Sequence, residues 1–181
     1  MGVGLGPCRR HCDRDGPRVI ATRNQPEVCS TAPRWILDTN VVIDWLMFNH
    51  PFMDPLRERV ADGRLVVLTH QPAIVELKAV LGYRQLKLNA ARQADIFSRY
   101  MALTTEVTLP GGASDKNLML PGGFPRCRDR DDEHFIALAY HHKADALVSR
   151  DNAVLGMASR VAKFGLTILN VPQAIRQLTV N

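Results

Sequence analysis

The sequence predicts an α/β fold, a parallel sheet covered on both faces by helices. Three observations predict it. Four short apolar runs, Trp35–Leu37, Leu65–Leu68, Ala146–Ser149 and Leu166–Leu169, are too short for helices and too apolar for loops, as strands buried on both faces are. Segments of helical length lie between them, which calls for crossover connections between parallel neighbours. The first and third runs lead directly into carboxylates, Asp38 and Asp151, and the carboxyl ends of strands in an open sheet are where ligands bind.

Taken in order, residues 1–33 mix Gly, Pro, Arg and Asp without periodicity and bury too little apolar surface to offset ordering entropy. They read as a disordered basic tail, or as the product of a start assigned too far upstream, with initiation near Val19 or Val28 instead. After the first strand, Thr39 or Asn40 can cap a helix over Val41–Phe48. Pro51 and Pro55 punctuate the chain before a second helix, Pro55–Ala61, which Asp62-Gly63 ends. A third helix opens on Pro72 and runs to Leu81; a fourth spans Ala90–Leu103. Glu106–Leu109 reads as a short strand. Residues 109–126, with Pro110-Gly111-Gly112 and Pro121-Gly122-Gly123, form a loop long enough to act as a flap. Asp132–His142 is helical, and Pro172 opens a last helix to Leu178.

Composition excludes several classes. The net charge is +5, but residues 1–34 hold six Arg against Asp13, Asp15 and Glu27, so residues 35–181 carry only +2. That balance argues against bulk electrostatic DNA binding and leaves room for local phosphate-holding patches. Four cysteines without a framework point to a reducing compartment. Cys8, His11 and Cys12 lack the paired spacing of a zinc site. No apolar stretch approaches the roughly 20 residues that span a bilayer, and the first residues lack a signal-peptide core, so a cytoplasmic location is expected.

The carboxylates carry the chemistry. Alone, Asp38 reads as a turn or cap residue. Glu76, however, has Pro72, Ala73, Ala79 and Val80 three and four positions away, so no cation on its own helix accounts for it. Asp131 and Asp132 open a helix, where one acid satisfies the orphan amides, yet Asp129 and Glu133 stand there as well, interleaved with Arg126, Arg128 and Arg130. Asp151 repeats the placement of Asp38 at a strand end. If all four acids share one crevice, each like-charge pair at about 4 Å costs about 4 kcal/mol at an effective dielectric near 20, so the cluster needs protons or a cation. Hard oxygen donors select Mg²⁺ or Mn²⁺.

These residues resemble a known family. Leu37-Asp38-Thr39-Asn40, the helical Glu76, the run Cys127–Ala139 with its Cys-Arg-Asp-x-Asp-Asp-x-x-Phe-Ile-Ala-Leu-Ala pattern, and Ser149-Arg150-Asp151 are similar to the PIN-domain ribonucleases, in particular the branch of toxins from toxin–antitoxin pairs. The likeness extends from about Trp35 to Leu178. It implies a three-layer α/β/α sandwich around a central parallel sheet, making residues 34–181 a PIN-like nuclease domain. It further implies divalent-metal-dependent cleavage of single-stranded RNA, with Asp38, Glu76, Asp132 and Asp151 as the catalytic, metal-binding acids. Asp131 is a further candidate ligand, and Asn40 and Ser149 match supporting polar positions. A small antitoxin protein and a second copy of the chain are the implied partners. The chain departs from the pattern at Asn152-Ala153, where relatives often carry a second charge, and in its longer loop before Cys127.

On that resemblance, Mg²⁺ would orient a water in line with the phosphodiester, giving 5′-phosphate and 3′-hydroxyl ends. Arg126, Arg128, Arg130 and Arg150 either hold RNA phosphates or neutralise the acids locally. His70, His134, His141 and His142 read as surface or helix residues. Two rivals stay open: a non-catalytic RNA-binding or regulatory PIN-like module, and a phosphatase forming an aspartyl-phosphate. The phosphatase normally has a second Asp two residues after the first, where this chain has Asn40.

Overall fold

The computed structural model describes residues 32–48, 50–111 and 118–180. The expected tail lies outside these apart from Ala32 and Pro33, as do the Cys8–Cys12 segment and residues 112–117 of the loop.

Five strands, β1 (Arg34–Leu37), β2 (Val66–Thr69), β3 (Thr104–Glu106), β4 (Ala146–Val148) and β5 (Ile168–Leu169), form one sheet in the order β3-β2-β1-β4-β5, every pair parallel. The ladder also uses Pro33, whose carbonyl accepts from the Val66 amide at 3.0 Å. The helices are α1 (Thr39–Leu46), α2 (Asp54–Ala61), α3 (Gln71–Leu81), α4 (Ala90–Leu103), α5 (Glu133–His141), α6 (Asn152–Leu155), α7 (Ala158–Val161) and α8 (Val171–Val180).

The period-two alternation of the strands splits the core into two. Trp35, Leu37, Val67, Ala146 and Val148 point to one face and pack with Val42, Trp45, Leu56, Ile96 and Ile175 from α1, α2, α4 and α8. Ile36, Leu68, Leu147 and Ile168 point to the other, against Phe135, Leu138, Val154 and Val161 from α5, α6 and α7. This is the expected three-layer α/β/α sandwich. No helix among the described residues is long and apolar enough to cross a membrane.

Several local expectations shift. The helix after β1 begins earlier than expected because Asp38 itself caps it, its side chain accepting from the Asn40 amide; neither Thr39 nor Asn40 is the cap. The strand expected at Glu106–Leu109 lies at Thr104–Glu106, so α4 passes into it without a turn. The described loop residues are tied down: Leu118 and Phe124 are buried, and the His141 and His142 ring N–H groups donate to the Leu118 and Thr108 carbonyls at 2.8 and 2.9 Å. Helices α6 and α7, four residues each, had no expectation at all.

Candidate active site

The strand order reverses between β1 and β4, and Asp38 and Asp151 follow the carboxyl ends of these two strands. Asp38 leaves β1 and is only 3% exposed. Its Oδ1 accepts from the Asn40 amide at 2.6 Å, and its other oxygen accepts from the hydroxyl of Ser149, which is fully buried at the end of β4. Ser149 Oγ in turn accepts from the Asp151 amide at 2.9 Å, so one hydroxyl ties the two strand ends together. Burial pushes the Asp38 carboxyl above the usual range, while the bonds from Ser149 and Asn40 oppose that and the charge of Glu76 adds to it. Asp151 caps α6, its Oδ1 accepting from the Ala153 amide at 2.6 Å.

Ser149 thus bonds to both strand ends, to the Asp38 carboxylate and to the Asp151 amide. Ser149→Ala removes one donor to a buried carboxylate and one acceptor for a backbone amide. An expected loss of about 1–3 kcal/mol in urea unfolding at pH 7 follows. A variant as stable as the native chain would show that the two strand ends are held by the ladder alone.

Asp132 behaves differently from the other two aspartates. It stands at the cap position of α5, yet its side chain makes no capping bond. Capping therefore does not account for it. Burial, then the charges of Asp38, Asp129, Asp151 and Glu76, raise its carboxyl to about 7. Four separate segments thus set one electrostatic field, and Asp132 lies where their negative potential adds.

Glu76, on α3, is held by a partner that spacing did not suggest: its Oε2 lies 3.2 Å from Nε2 of His134 on α5. The reading of His134 as a plain helix residue is corrected accordingly. His70 is corrected too, since it is 2% exposed, its ring centroid lies 4.9 Å from that of His134, and neither ring nitrogen has a hydrogen-bond partner among the described residues. Burial, followed by the nearby His134, lowers its pKa to about 3. Asp131 is exposed and lines a cavity of about 770 Å³ with Glu76, Arg130 and His134, while its amide donates to Asp129 Oδ1 at 3.0 Å.

The arginines divide. Arg126 and Arg130 reach Glu133 at 2.9 and 3.4 Å, and Arg150 pairs with Asp44. Each of these three is thus paired with a neighbouring carboxylate. Arg128 is exposed and makes no ion pair among the described residues. Glu133 is 4% exposed and also accepts from the Cys127 amide at 2.8 Å, fixing the turn that presents Asp132. Its sequence signal was available, because Ile136, Ala137 and Tyr140 stand three, four and seven residues on and place Glu133 on the buried face.

Among the described residues no three His, Cys, Asp or Glu side chains are gathered into a ready ligand set. The donor chemistry nonetheless fits a hard divalent cation. The donors are carboxylate oxygens, and after burial the charges of Asp38, Asp129, Asp151 and Glu76 all raise the Asp132 carboxyl, a repulsion that a cation would relieve.

Comparisons with known proteins agree with the fold. Among solved structures, the crystal structure of PAE2754 from Pyrobaculum aerophilum matches with a TM-score of 0.54 at 13% identity, covering 84% of this chain and 99% of that one. A search of the curated proteins found no match. A family model described as PIN domain matches residues 34–153, a span that includes Asp38, Glu76, Asp132 and Asp151. With well over half of its length matched, this chain belongs to the PIN domain family, whose members are typically nucleases.

Proposed function

We propose that the protein is a divalent-metal-dependent endoribonuclease that cleaves single-stranded RNA, with Asp38, Glu76, Asp132 and Asp151 as its metal-binding acids. The observation that carries this reading is Asp132, a helix-head carboxylate that caps nothing and is raised to about 7 by burial and then by the charges of Asp38, Asp129, Asp151 and Glu76. A bound Mg²⁺ or Mn²⁺ would supply charge neutralisation at the scissile phosphate and an activated water. The chain's own part is positioning. Ser149 and the Asn40 amide hold Asp38 in one orientation; the α6 amides hold Asp151; His134 orients Glu76. Asp131 is a further candidate ligand. Arg128 is the arginine free to meet a phosphate directly, whereas Arg126, Arg130 and Arg150 would have to leave Glu133 or Asp44.

Cleavage of a labelled single-stranded RNA in Mg²⁺ or Mn²⁺, abolished by EDTA and by Asp132→Asn, is the expected result. Metal-independent cleavage, or activity that survives the substitution, would overturn the assignment. The rival reading, a non-catalytic RNA-binding or regulatory module, is favoured by the absence of a gathered ligand set among the described residues. RNA binding without cleavage in either metal would establish it.

The same reading extends to the cell. A cytoplasmic toxin held by a small antitoxin protein, and acting as a homodimer, fits the family resemblance. The test is co-expression with the product of the neighbouring reading frame: growth arrest by this chain alone, relieved by that product, is expected.

A further inference from the structure

An apolar groove adjoins the acidic end of the sheet. Phe48, Phe52, Met53, Val171 and Pro172 line a cavity of about 360 Å³. Phe48 is 57% and Phe52 45% exposed, so two exposed aromatic rings line the same cavity. Asp44 and Arg150 stand at its rim, paired to each other. The groove is continuous with the site: a second cavity, of about 280 Å³, shares Phe48, Asp44 and Arg150 with it and is bounded by Asn40 and Asp151.

We infer that this groove is a nucleobase subsite, taking an unpaired base that flanks the scissile phosphate. The inference rests on the single-stranded RNA reading above and deepens it. The chemistry of the lining argues for a base rather than an aliphatic side chain. A base has a π-face, which an exposed Phe ring stacks against whatever the sequence. It also has a polar edge, and with Arg150 Nη1 bonded to Asp44 Oδ2 the other Asp44 oxygen and the other Arg150 N–H groups remain as an acceptor and planar donors at the rim. The position argues the same way. The next nucleotide of a strand whose phosphate lies beside Asp151 must be housed somewhere close, and the neighbouring cavity opens directly onto that side chain. A duplex could not enter, because its bases are stacked on each other and closed to the rings, so the groove selects unpaired RNA.

The test uses the full chain with Mn²⁺ and a short single-stranded RNA of mixed sequence, together with a set of the same RNA carrying one abasic nucleotide at each position in turn. For the native protein, kcat/KM is expected to fall about 10-fold at one position next to the cleavage site and little elsewhere, the range of one base–aromatic stack. A double variant, Phe48→Ala with Phe52→Ala, is expected to lose a similar factor on intact RNA, mainly in KM. It should no longer distinguish the abasic RNA, and Phe52→Trp should retain native KM. Both rings are exposed, so an unchanged melting temperature is expected and is measured first. Native cleavage indifferent to every abasic position, or a double variant with native KM, overturns the subsite while leaving the nuclease reading standing. Conversion of a dimer to a monomer by the double variant, with RNA kinetics unchanged, assigns the groove to a second copy and overturns it likewise. A native protein that cleaves no RNA in either metal fails the underlying reading, and the subsite falls with it.

Discussion

Asp132→Asn is expected to abolish cleavage and, at the same time, to make the metal-free protein more stable at pH 8. The two effects have one cause. The Asp132 carboxyl is raised from 3.8 to about 7 by burial and then by Asp38, Asp129, Asp151 and Glu76, so the folded chain binds this proton more tightly than the unfolded chain does. Between pH 4 and 7 the native state therefore holds more protons, and stability falls as pH rises. Above pH 7 the cost is fully present; below the unfolded value it vanishes. One pKa unit corresponds to about 1.4 kcal/mol, but Asp132 is partly open to water, and screening brings the expected gain to ~1 kcal/mol. Loss of a cap subtracts little, since the side chain makes no capping bond. Asp38→Asn is the control, with the opposite sign expected. Both Asp38 oxygens accept hydrogen bonds, and an amide has only one acceptor to offer, so that variant should lose stability. Mg²⁺ should then stabilise the native chain more than either variant, because a ligand that binds only the folded state acts through its affinity. The loss of cleavage should exceed the ~10–100-fold typical of a group that merely supports a metal ligand. Thermal unfolding of all three proteins at pH 4.5 and pH 8, with EDTA and with Mg²⁺, checks each part. Variants that are both less stable than native, with all three shifted equally by Mg²⁺, would mean that the acids are caps and turns.

What could be read from the chain, and what could not, follows from the range of the interactions involved. Strands such as Trp35–Leu37 declare themselves because both their faces are buried, so the apolar run is unbroken and its end is visible as Asp38. Asp151 is legible for the same reason. Glu76 could be singled out by its lack of a cation three or four residues away, but not given its partner. That partner, His134, is 58 residues distant, and the pairing depends on how α3 packs against α5. The same holds for Asp44 with Arg150, 106 residues apart. Buried Glu133 went unread although its spacing was informative, because the neighbouring acids made it look like one more member of a helix-start cluster. Helices α6 and α7 are too short for any periodicity to register. The early end of β3 reflects pairing, since Thr104, Thr105 and Glu106 are set opposite Val67, Leu68 and Thr69 whatever their own propensity.

His70 supplies the acid limb of the stability profile. It lies buried against His134 and Phe135, and burial holds its pKa at about 3, below the ordinary 6.5. The unfolded chain therefore takes up a proton as pH falls through 6.5 while the folded chain does not. Stability contributed by the neutral ring is complete above pH 6.5 and is lost progressively down to about pH 3. Between pH 6.5 and pH 5 the expected loss is about 2 kcal/mol. This trend opposes that of Asp132, which favours low pH, so the metal-free protein should show a shallower acid limb than His70 alone would give. His70→Leu separates them. Neither ring nitrogen has a partner among the described residues, so a leucine of similar bulk forfeits no hydrogen bond and should match native stability at pH 7 to within about 1 kcal/mol. At pH 5 the same variant should be the more stable by about 2 kcal/mol, measured as the urea midpoint at the two pH values with EDTA present. An acid limb unchanged in His70→Leu would show that the buried ring of His70 does not carry it.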